Sequence, residues 1–167
     1  MVAAASSPSA PETGFEEQFS LDVGAVRFTE RFGLADAVSR EAVDAALAAI
    51  AADLTPLEGR PRPDMVIAIG ETSANLAAVA HRLNRYGPDA VHGIVVDVSE
   101  VNRQTEMYRR RSADLRHEIA GLQPARAEVI LAGACIVHTI LTLAVQDAVT
   151  VSDRGLRHGV AAERFGS

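Results

Sequence analysis

Two short stretches carry residues whose types and spacing could do chemistry. In "VTVSDRGLRHG", residues 149–159, an apolar β-branched run stops at Ser152, and a polar turn through Asp153 and Arg154 to Gly155 leads into Leu156 and Arg157. Arg154 and Arg157 could close on a phosphate as a two-pronged guanidinium clamp, a geometry that arginine favours over lysine. A capped terminal helix reads equally well here, with Asp153 as the cap and the arginines paired with nearby carboxylates. In "IAIGETSANL", residues 67–76, an apolar run enters Gly70, and Thr72, Ser73 and Asn75 follow at the mouth of a helix. The free N–H groups of a helix start, with hydroxyls beside them, can bind phosphate. Glu71 works against this, because its carboxylate repels an anion unless Mg²⁺ or an arginine lies between. An ordinary helix start, with Glu71 favourable beside the dipole, accounts for the same residues.

The remaining candidates read more plainly. The five histidines, His81, His92, His117, His138 and His158, show no metal-ligand spacing. His138 falls in an apolar segment and reads as a hydrogen-bonded core residue. His92, beside Gly93, stands apart from the others, although a turn role explains it simply. Cys135, the only cysteine, sits in "LAGACIVH" and reads as buried. It excludes an internal disulfide or a multi-cysteine metal site and suits a reducing cytoplasm. The run Arg109 to Arg111 reads as a solvated helix face. No GxxxxGK[ST], GxGxxG, HExxH or GxSxG motif is present.

The elements that must position these residues follow from composition and pattern. At 167 residues the chain is the size of one domain, and with 48% apolar but only 4% aromatic residues its core must be built from small and branched aliphatics. A net charge of −6 argues against a broad nucleic-acid-binding face. No run reaches the roughly 18 apolar residues of a membrane span. The first residues lack the basic start of a signal peptide, so 1–17 reads as a flexible lead-in to a single α/β domain over 18–167.

The alternation from Phe19 through Ala25 predicts a strand, with a possible bulge at Gly24. Ser39 caps a helix burying Val43, Ala46, Leu47, Ile50 and Leu54, ended by Thr55-Pro56. "MVIAIG" (65–70) predicts a buried strand with a helix departing from its end. A strand over 93–99 leads into a helix at 100–110 capped by Ser99, and Ser112 starts another helix ending at Gly121. After Pro124 comes a central buried helix of about 21 residues, then a strand at Val149 to Ser152 and a last helix over Leu156 to Arg164. Strands alternating with helices imply a largely parallel sheet covered on both faces. In such sheets, ligands bind where strands end and helices begin.

"SLDVGAVRFTERF", "VIAIGETSANLAAVA", "YGPDAVHG" and "AEVILAGACIVHTILTLAVQDAVTVSDRGLRHGV", in this order, resemble the exopolyphosphatase and guanosine pentaphosphate phosphatase family (Ppx/GppA), from about Phe19 to Ala161. The resemblance implies half of an actin-like fold of the ribonuclease H-like, sugar-kinase and Hsp70 type, with a mixed sheet flanked by helices. It implies a cytoplasmic enzyme that releases terminal phosphate from polyphosphate or guanosine pentaphosphate with Mg²⁺. It maps Gly70, Thr72, Ser73, Ser152, Asp153, Arg154, Gly155 and Arg157 onto the substrate cleft. The family's "DIGGGSTE"-like loop and its catalytic glutamate have no counterpart here, so this half alone is expected to hydrolyse poorly. A non-catalytic binding or interaction module of the same ancestry is the alternative. Without the hairpin that begins this half, one sheet edge would stand open to a missing first domain or a second copy. Neither nucleic acid nor membrane is expected as a partner.

Overall fold

In the computed structural model, which describes residues 2–5, 20–83 and 87–153, Ser39 behaves as its position predicts. Its hydroxyl accepts from the Ala42 N–H at 3.3 Å and opens helix α2 (Arg40–Asp53), which buries Val43, Ala46 and Ile50. The segment before it differs from expectation. Residues 20–24 form no strand, and Ala25–Phe32 is helix α1, with Gly24 preceding its first turn rather than forming a bulge. Alternation up to Ala25 gives way to a face of Ala25, Phe28, Thr29 and Phe32, which has helical spacing. The Phe28 and Phe32 rings stack with centroids 6.2 Å apart. Gly33, in the left-handed region at φ 63, ends the helix, and the Leu34 N–H turns back to the Thr29 carbonyl at 3.0 Å.

The expected lead-in contributes strand β1 (Val2–Ala5). Beyond α2 the chain forms β2 (Met65–Ile69), α3 (Glu71–Ala80), α4 (Pro88–Val91), β3 (Val95–Asp97), α5 (Val98–Arg109), α6 (Ala113–Arg116), α7 (Ile130–Leu143) and β4 (Ala148–Ser152). Asp97, not Ser99, caps α5: its carboxylate accepts from the Glu100 N–H at 2.8 Å, while the Ser99 hydroxyl donates to it. The strand hands over to the helix without a linker, so the cap falls on its last residue. The helix after Ser112 stops at Arg116, well before Gly121. Pro124–Arg126 is a 3-10 turn, which leaves α7 with 14 residues instead of about 21.

The sheet order is β1-β2-β4-β3. Only β2 and β4 run parallel, and β1 and β3 flank them antiparallel. The largely parallel sheet is thereby corrected to a mixed one, because helices between strands fix their separation in sequence, not their direction. β1 occupies the outer side of β2, the edge expected to stand open. Val66, Ala68, Val96, Val149 and Val151 are buried on the helical side. The alternate residues face away, with Ile67 and Thr150 half-buried and Met65 and Val95 exposed, so among the described residues the second face is only partly covered.

α7 is the hub of the helical layer and packs on α1, α2, α3 and α5. Its Gly133 permits a close approach: a Cβ there would lie 2.6 Å from Cγ2 of Thr72 on α3. Beneath the loops, the fully buried Arg116 donates to four main-chain carbonyls, those of Tyr108, Leu34, Ala127 and Asp36, at 2.9 to 3.1 Å. Burial pulls its pKa down to about 10, which still leaves it charged at neutral pH. Tyr108 donates to Gln104 at 2.7 Å, and Gln104 donates to the Leu76 carbonyl on α3 at 2.9 Å.

Candidate functional site

The register of the parallel pair joins the two candidate stretches into one site. Ile69 pairs with Ser152, so Gly70 with the start of α3 and Asp153 leave the same edge of the sheet side by side. Gly70 sits at φ 114, ψ 177, a region that essentially only glycine occupies. Among the described residues no side chain caps α3, so its first-turn N–H groups, which no helical ladder can satisfy, begin beside the exposed Gly70 and Glu71.

The hydroxyls are placed differently from the expectation. Ser73, 3% exposed, donates to the Gly70 carbonyl at 2.8 Å and so holds the turn itself. Thr72 is half-buried against Gly133. Asn75 is fully buried, donating to the Glu71 carbonyl at 2.7 Å and accepting from the Gln123 N–H at 2.8 Å. What this loop offers a ligand is therefore main-chain N–H, with its side chains bracing the turn.

Glu71 does not stand alone. Its carboxylate forms an ion pair with Arg126, in the 3-10 turn that leads to α7. Sequence reasoning asked for an arginine here and did not find it, because Arg126 lies far along the chain and only the packing of α7 on α3 brings it close. On the other strand, Ser152 and Asp153 are half-buried, and the Asp153 N–H donates to Nδ1 of His92 at 3.4 Å. Arg154, Gly155 and Arg157, with the last predicted helix, lie outside the described residues.

Elsewhere, a groove of about 380 Å³ between α2, α5 and α7 is lined by Arg40, Asp44, Glu106, Arg109 and His138 among others. Its charges largely cancel. Hydrogen bonds from Arg109 and Arg110 hold the Glu106 carboxyl down at about 2, and Arg40 adds a third contact at 3.0 Å. His138 is not the hydrogen-bonded core residue expected: its Nδ1 is buried with no partner among the described residues, and burial lowers its pKa. Cys135 is buried as expected, its thiol pushed up to about 12 by desolvation and therefore unreactive. Among the described residues, no group of three or more His, Cys, Asp or Glu could hold a metal ion, and no helix is long and apolar enough to cross a membrane.

Known proteins share this fold. The type II variant of the Aquifex aeolicus Ppx/GppA phosphatase superposes with a TM-score of 0.83 at 28% identity, over 90% of this chain and 50% of its own. The Cytophaga hutchinsonii exopolyphosphatase shares the fold with a TM-score of 0.72 at 22% identity, over 87% of this chain and 48% of its own. The bifunctional 3-dehydroquinate synthase/phosphatase of Fusobacterium nucleatum is 25% identical over 90% of this chain but only 23% of its own length. The chain thus spans about half the length of its solved relatives. The family model for Ppx/GppA phosphatases matches residues 10–167, and the chain belongs to that family, with its actin-like ATPase fold.

Proposed function

We propose that this chain forms the phosphate-holding part of a phosphohydrolase that releases the terminal phosphate of a phosphoanhydride, polyphosphate or guanosine pentaphosphate, in a reducing cytoplasm. The observation that carries the reading is the pairing of Ile69 with Ser152, which sets an uncapped helix start beside the Ser152-Asp153 turn. A terminal phosphate would take its hydrogen bonds from the first-turn N–H groups of α3, the usual anion site of a helix. Arg126 would exchange part of its contact with Glu71 for the incoming anion. Arg154 and Arg157, which follow Asp153 in the sequence, would supply a guanidinium clamp.

The donors at the corner suit Mg²⁺ only in the form that it takes with phosphates, bound through one or two carboxylates and completed by substrate oxygens and water. Asp153 would hold it, because Glu71 is already paired. Bound there, Mg²⁺ would neutralise charge on the phosphates. Cleavage of a phosphoanhydride needs mainly such positioning and neutralisation, plus a carboxylate to orient water. Paired with Arg126, Glu71 is poorly placed for that last task. The water-orienting group is therefore assigned to sequence outside this corner, and the chain alone is expected to bind more than it cleaves.

The alternative, a non-catalytic interaction module, rested on Glu71 spoiling the anion loop and on an open sheet edge. Arg126 answers the first point and β1 the second. The test is calorimetric binding of tripolyphosphate with Mg²⁺, alongside phosphate release from polyphosphate and guanosine pentaphosphate. Binding with slow or no release is expected. Absence of binding would overturn the phosphate reading, and rapid turnover would overturn the assignment of the water-orienting group elsewhere.

A further inference from the structure

Past the paired residues of β3 and β4, the hydrogen bonding between the two segments continues in an altered form. The Val151 N–H donates to the Ile94 carbonyl at 2.8 Å, and the Gly93 N–H donates to the Val151 carbonyl at 2.8 Å. Gly93 stands at φ 79, and among the described residues no main-chain carbonyl accepts from the Asp153 N–H. The next N–H to need an acceptor is that of Asp153, and it meets the imidazole Nδ1 of His92. A side chain thus supplies a further rung just beyond the end of β4.

We infer that His92 is a positioning residue for the phosphate corner: by accepting from the Asp153 N–H, it fixes the direction in which the Ser152-Asp153 turn leaves the sheet beside Gly70. This inference rests on the reading of that corner as a phosphate site. His92 itself touches no ligand in this scheme. Its ring holds the main chain from which the Asp153 carboxylate projects, and β4 links that point to Gly70 through the Ile69 to Ser152 pairing. The chemistry requires an acceptor at the Nδ1 position and nothing else of the ring. Asparagine places its Oδ1 close to that position, whereas glutamine reaches toward the Nε2 position and alanine offers no acceptor.

The test compares His92→Asn, His92→Gln and His92→Ala with the natural chain by two measurements. One is hydrogen exchange of the Asp153 amide in the free protein, and the other is the affinity for tripolyphosphate with Mg²⁺. His92→Ala and His92→Gln should speed exchange at Asp153 and weaken binding roughly five- to tenfold, the scale of one lost hydrogen bond. His92→Asn should restore both. Unchanged exchange at Asp153 in His92→Ala, or equal affinity in all four chains, would overturn the role of His92. A natural chain that does not bind tripolyphosphate would instead overturn the phosphate reading beneath it.

Discussion

The Arg116 cluster and the Gly70 corner treat the same problem, unpaired main-chain polar groups, in opposite ways. Around Arg116, four carbonyls, one from the end of α5, two from the α1–α2 connection and one from the segment before α7, converge on one guanidinium that is wholly buried. At Gly70, a set of N–H groups is left without a cap on an exposed turn. The first arrangement consumes its hydrogen-bonding capacity and binds loops together, and the second leaves it open, which is what the proposed phosphate site requires. Stability and ligand binding are therefore expected to respond to different substitutions.

The largest effect should come from Arg116→Met. It keeps much of the side-chain volume and strands four carbonyls, two at a single nitrogen, and should cost about 3–5 kcal/mol in urea unfolding. A loss below 1 kcal/mol would mean that the cluster is not the structural centre described. Next comes Gly133→Ala, which couples the two regions by pressing on Thr72 at the first turn of α3. Overpacking of this kind costs about 1–3 kcal/mol. Adding Thr72→Ala should recover most of it in a double-mutant cycle, and purely additive losses would sink the contact.

Glu71→Gln should sharpen the contrast from the other side. The pair it breaks is part-exposed, so stability should change by no more than about 1 kcal/mol. Release of Arg126 should tighten tripolyphosphate binding roughly two- to fivefold, and weaker binding would show that Glu71 serves the ligand directly. The smallest effect concerns His138. Burial lowers its folded pKa below the ordinary 6.5, so the unfolded chain takes up the proton first. Its contribution is therefore present above pH 6.5 and is lost as pH falls through the folded value. Stability of the natural chain should decline between pH 7 and pH 5 more than that of His138→Leu, and parallel curves would refute the assignment.

Much of the scaffold could be read from local pattern. β2 and β4 are short β-branched runs, and α2 has both its cap at Ser39 and its stop at Thr55-Pro56. The expectation failed at α1 because its helical face begins where an alternating stretch ends, and the two periods overlap on Ala25. Nothing local in the sequence marks Arg116, whose partners include the carbonyls of Leu34 and Asp36, 82 and 80 residues away. At the site, Gly70 and Asp153 were each legible as strand ends. Their adjacency was not, because one sequence contains no register. The pairing of Glu71 with Arg126 was hidden for the same reason, and so was the use of Ser73 and Asn75 as braces.

The parallel pairing of β2 with β4 also sets when the corner can exist. Val66 and Val149 meet across about eighty residues of intervening chain, which include α3, α5 and α7. Contacts so distant in sequence form late and slowly compared with helical turns. On the ribosome, Gly70 and the start of α3 emerge long before Ser152 is made. The corner beside Gly70 therefore assembles only after Ser152 is made, later than the helical turns between the two strands.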